Sequence, residues 1–163
     1  MSADHVQEIL DQWHKERPDL DVSSMATVGR LHRVSRAIER KLGAGLARFG
    51  LQPWSFDVLA TLRRTGPPYE LNPSAIVQSL MVSNSAMTNR IDRLEEARWV
   101  ERAPASSDRR VTMVRLTQTG RQVIDAALEA NLEAERGILS VLSSAEQDRL
   151  ATLLRKLDLS LNG

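Results

Sequence analysis

Asn84, Ser85, Thr88 and Asn89 crowd into one short stretch, Arg93 follows about a turn later, and Asp108-Arg109-Arg110 lies a little beyond. Small amides and hydroxyls at that spacing can hydrogen-bond to base edges or phosphates, and guanidinium groups pair with phosphate oxygens or enter a narrow minor groove. The surroundings are dense in arginine, with Arg90, Arg98, Arg102, Arg115 and Arg121 in the same region. Residues 1 to 21 are the opposite, carrying Asp4, Glu8, Asp11, Glu16, Asp19 and Asp21 against Lys15 and Arg17. A net charge of +1 therefore hides a polarised chain, and the basic half has the chemistry of a duplex DNA surface. Within it, an acid beside two arginines weakens phosphate attraction unless it orients one of them. Asp108 is therefore assigned to Arg110, and Arg109 to the backbone or groove.

Fixed elements must present these groups. Ser83 is placed to cap a helix running through Glu95 or Arg98, and Asn72-Pro73 opens a short helix with Ile76, Val77 and Leu80 just before it. Two strands follow, Trp99 to Arg102 and Val111 to Leu116, around a polar loop, residues 103–110. Upstream, Val6, Ile9, Leu10 and Trp13 have helical spacing before Arg17-Pro18. Ser23 and Ser24 can cap a long helix striped by Val28, Leu31, Val34, Ile38, Leu42 and Leu46 that ends near Gly50. Pro53 starts a third helix with Trp54, Val58, Leu59 and Leu62 inward. Thr117 and Thr119 suggest another cap, and leucine-rich helical sequence continues to the end, broken near Ser143-Ser144.

The order is helices, hairpin, helices: a mainly α chain with a small β-hairpin wing. A helix-turn-helix followed at once by a hairpin suits DNA, because the second helix fits the major groove and the hairpin reaches an adjacent minor groove. The ordered set SNSAMTNRIDRLEEARWVERAPASSDRRVTMVRLTQTGR resembles the MarR family of bacterial regulators, with its recognition helix, strand leading to ER, wing with DRR and LTxxGR, and the likeness spans nearly the whole chain. It implies a winged helix-turn-helix with N- and C-terminal dimerisation helices, two copies of which read a pseudo-palindromic operator, with repression as the expected outcome. The organisation expected is one domain: 1–22 an extra N-terminal helix, 23–50 a dimerisation helix, 51–116 the DNA-binding lobe and 117–163 C-terminal dimerisation helices. The apolar stripes independently favour a homodimer, since they exceed what one small lobe can bury. Family members usually carry glycine where Arg98 stands, so a turn of different build is expected there.

The acidic N-terminal helix resembles a subgroup that responds to urate and related small anions. That resemblance implies a ligand set of Trp13, Asp57, Arg90 and Arg102 for a urate-like or phenolic aromatic anion. Guanidinium forks, an aromatic cover and an acceptor for a ligand N–H suit such a molecule. Plainer roles stand beside each: Trp13 as core, Asp57 paired with a nearby arginine, Arg90 holding helices together, Arg102 on phosphate. With no cysteine, disulfides, thiolate metal sites and thiol redox sensing are excluded. His5, His14 and His32 lack metal-ligand spacing, and no phosphate loop or nucleophile motif occurs, so neither enzyme chemistry, metal nor cofactor is expected. A winged-helix module for protein contacts, or a regulator without a ligand, is the alternative. No apolar run approaches the roughly 20 residues of a membrane helix, and the acidic start lacks a secretory pattern, so a cytoplasmic protein is expected.

Overall fold

A computed structural model describes residues 4–81, 83–105 and 111–162. The described residues form helices α1 (His5–Glu16), α2 (Ser23–Leu46), α3 (Pro53–Arg63), α4 (Pro73–Leu80), α5 (Asn84–Glu96), α6 (Gln118–Leu139) and α7 (Ser144–Asn162), and strands β1 (Glu70–Leu71), β2 (Val100–Pro104) and β3 (Thr112–Leu116). The sheet is antiparallel in the order β1-β3-β2, so the expected two-stranded wing gains a third, short strand at its base. β1 is placed by non-local forces: Glu70 lies opposite Arg115 in the register, and the two side chains pair at 2.6 Å. Two compact units are present, residues 1–41 and residues 42–163, with the boundary inside α2.

In the first unit, the Asp4 carboxylate accepts from the Val6 and Gln7 amides and caps α1. Val6 and Leu10 pack with Val22 into a small cluster against Ala26. Ser23 and Ser24 lie inside α2 rather than capping it. The Asp21 carboxylate takes the Ser23 amide at 2.9 Å instead, because that amide is among the orphan donors of a helix start and an upstream acid reaches it.

The second unit holds the main core. Val58, Leu59, Leu62, Ile76, Met87, Leu94, Val114, Ile124 and Ala127 are all essentially sealed from solvent. They come from α3, α4, α5, β3 and α6, so burial fixes the orientation of the helix-turn-helix. Local chemistry sets the ends of these elements. The Asn72 side chain caps α4 at 2.8 Å, Thr117 caps α6 at 2.9 Å, and Gly50, at φ 71, closes the single 3-10 turn Ala47–Phe49. The first turn of α6 presses on the chain at Trp99: a Cβ on Gly120 would lie 1.9 Å from the Trp99 carbonyl oxygen. Burial stops part-way along α6, and α7 has no buried residue.

Candidate DNA-binding and ligand sites

The Ser83 hydroxyl accepts from the Ala86 amide at 3.3 Å and starts α5. Met87, Ile91 and Leu94 form its inner face. At about 100° per residue, Asn84, Ser85, Thr88, Asn89 and Arg93 spread over the outward half, and all five are exposed. The Thr88 hydroxyl donates to the Asn84 carbonyl at 3.2 Å, which ties one polar group down and leaves the amides of Asn84 and Asn89 free to turn outward.

At the far end, the Arg98 amide donates to the Glu95 carbonyl and the Trp99 amide to the Leu94 carbonyl, both at 2.9 Å. This is a Schellman closure. Arg98 takes φ 60, so the expected difference in build is absent: the glycine-type conformation is kept by an arginine. A Cβ in that region costs on the order of 1 kcal/mol, and the exposed cation lies near the negative end of the helix, which favours it.

The wing arms pair from Val100 opposite Leu116 to Pro104 opposite Thr112. Asp108, Arg109 and Arg110, and with them the assignment of Asp108 to Arg110, lie outside the described residues.

Of the four ligand candidates, the structure brings two together. Asp57 on α3 lies within the field of Arg90 on α5. Partial loss of solvent raises the Asp57 carboxyl from its ordinary value, and the Arg90 charge pulls the other way. The Arg90 guanidinium also stands 5.9 Å from the centre of the Trp54 ring, a cation–π distance, and Trp54, Asn89, Arg90 and Arg93 line a shallow depression of about 260 Å³. From sequence Trp54 is read only as part of the inner face of its helix, with no site role. Its position at the start of α3, facing the recognition helix, is a contact no spacing rule reveals.

Arg102 is elsewhere. Its guanidinium pairs with Asp92 at 2.5 Å and with Glu95, and its backbone amide donates to Glu95 at 3.1 Å. Asp92 and Glu95 lie on the flank of α5 turned away from Arg90, so Arg90 and Arg102 do not converge on one cavity. The signal was present in sequence as two acids at i and i+3 followed closely by an arginine. Trp13, in the first unit, is 41% exposed in the single chain.

The chain is similar to known proteins along nearly all of its length. A sequence model of the MarR family matches residues 49–111. The regulator PecS of Dickeya dadantii is 45% identical over 153 residues, covering 94% of this chain and 92% of PecS. The chain belongs to the MarR family. The transcriptional repressor MprA of Escherichia coli is 28% identical, over 78% of this chain and 71% of MprA. A mutant of MarR from Escherichia coli, solved in complex with operator DNA, superimposes with a TM-score of 0.72 at 27% identity, covering 85% of this chain and 99% of MarR. As a MarR-family member the chain is a DNA-binding transcriptional regulator with a winged helix, and its relatives are regulators rather than enzymes. Among the described residues no helix is long and apolar enough to cross a membrane.

Proposed function

We propose that this chain is a repressor that binds a pseudo-palindromic operator as a homodimer in the cytoplasm and leaves it when a small aromatic anion binds. The observation that carries the reading is the exposed polar half of α5 on a capped, core-anchored helix. Asn84, Ser85, Thr88, Asn89 and Arg93 meet base edges and phosphates in the major groove. Asp108 orients Arg110, and Arg109 enters the minor groove or meets the backbone. The repressor name of MprA and the operator complex of MarR support the same mode. Homodimerisation is supported by α7, whose Leu150, Leu153, Leu154 and Leu157 are each at least 38% exposed. An apolar row of that length is stable in water when a second copy covers it.

For the ligand, Asp57 and Arg90 supply an acceptor and a guanidinium, with Trp54 beside them, and Trp13 offers an exposed ring. Arg102 joins such a site only by releasing Asp92 and Glu95. Because Arg90 belongs to the recognition helix, a ligand that draws on it shifts the element in the groove, and ligand and DNA then oppose each other reciprocally. The second reading, a regulator without a ligand, is favoured by the fact that Arg102 already has two carboxylate partners.

Footprinting on DNA flanking the protein's own gene, with and without urate or salicylate, tests the proposal. Protection that is lost on adding either anion, with release abolished by Trp13→Ala or Asp57→Ala, supports the ligand. Protection unaffected by both anions sinks the ligand and leaves the DNA reading. No protected site, with duplex binding insensitive to salt, sinks both.

A further inference from the structure

Among the described residues, three non-glycine residues adopt left-handed backbone: Tyr69, Met81 and Arg98. Two of them use their side chains within the chain or in water. The Tyr69 ring packs against the core and has the Arg63 and Arg121 guanidinium groups 4.9 and 5.3 Å from its centre. Arg98 puts a cation into solvent at a helix C-terminus. Met81 does neither. It closes α4 at φ 50 and ψ 43, with its amide donating to the Val77 carbonyl, and its side chain is 90% exposed. Among the described residues it is the most exposed of the large apolar side chains.

The position thus carries two penalties at once, a Cβ where glycine is favoured and an apolar side chain in water. Among the described residues, neither is offset by burial of the side chain, which is 90% exposed. Residues held this way mark sites where the contact is made with something else. Met81 stands two residues before Ser83, the cap of the recognition helix, and three and four residues before Asn84 and Ser85, which start the outward polar row. Those polar groups suit the donors and acceptors of base edges. The apolar feature that the major groove offers is the thymine C5-methyl group.

We propose that Met81 is a specificity residue, its thioether packing on a thymine methyl at the margin of the sequence read by α5. The assignment rests on the DNA-binding reading. A flexible, polarisable side chain suits a contact that must adapt to a groove wall.

The test begins by selecting a preferred duplex from a randomised pool with the wild-type protein. Each thymine is then replaced singly by deoxyuridine, which removes only the methyl group, and affinity is measured by fluorescence anisotropy for wild type, Met81→Gly and Met81→Gln. At one thymine, the wild type should lose about fourfold on substitution, the scale of one buried methyl. Both variants should bind the thymine duplex about fourfold more weakly and be indifferent to uracil there. Met81→Gly should also melt at or above the wild-type temperature, which separates a DNA role from a structural one. Deoxyuridine effects that are the same in all three proteins, or variants that bind as tightly as wild type, overturn this assignment alone. A wild type that selects no sequence overturns both the assignment and the reading beneath it.

Discussion

The winged lobe and the last helix are both striped with large aliphatic side chains, yet they end up opposite in character. In the lobe, Val58, Leu59, Leu62 and Ile76 are buried completely, and Ile124 from the first half of α6 closes the same core. In α7, Leu150, Leu153, Leu154 and Leu157 repeat at helical spacing with no residue buried. The lobe has completed its core alone, whereas α7 has a stripe without a partner. The part whose core is complete in the single chain is the part that presents α5, and the part left uncovered is the helix that, in the proposed homodimer, would set the distance between two such helices.

The largest effect should come from Gly120→Ala. The added Cβ meets backbone rather than a movable side chain, so α6 must shift off the wing base, at a cost of about 3 kcal/mol, read as a fall in the thermal melting temperature. If that variant melts like wild type, the close approach is not a constraint on the lobe. Leu154→Asp should leave the melting of the lobe nearly unchanged and weaken self-association roughly thirtyfold, the scale of an interface hot spot. Sedimentation over a concentration series would show it, and an unchanged dimer fraction would place the interface elsewhere.

Thr117→Ala sharpens the contrast on the lobe side. It removes the α6 cap and the bond from the Thr117 hydroxyl to the Arg98 carbonyl at 2.7 Å, so a loss of about 1 kcal/mol is expected in denaturant unfolding. The smallest effect concerns Asp57. Its carboxyl is raised by burial, so the folded state binds the proton more tightly than the unfolded state. Stability is then lost as pH rises from below the unfolded value near 3.8 through the higher folded value. Asp57→Asn should therefore be slightly more stable than wild type at pH 7, with the gain shrinking as pH falls through the folded value towards 3.8. A gain that grows on acidification would reverse the sign.

The caps at Asn72, Ser83 and Thr117 and the two halves of the helix-turn-helix were legible in the sequence because they depend on bonds and periodicities a few residues long. β1 was not, since two residues become a strand only when Arg115 and β3 arrive from far along the chain. Arg102 shows the same limit at a candidate site. Its type suited an anion, but its partners are fixed by how β2 folds back on α5. Trp13 shows a related limit: apolar spacing on one helix says which face is apolar, not what covers it, and in the single chain the ring is 41% exposed. At Arg98, the departure from glycine altered the energy of the turn and not its geometry.

In the proposed function the outward half of α5 reads sequence. The most direct measurement compares the affinity of wild type and a Thr88→Ala/Asn89→Ala double variant for the footprinted operator and for a scrambled duplex of equal length at physiological salt. Wild type should prefer the operator by about a thousandfold or more, and the double variant should lose most of that preference while keeping its salt-dependent binding to the scrambled duplex. Equal binding of both duplexes by wild type, or an undiminished preference in the variant, would contradict it.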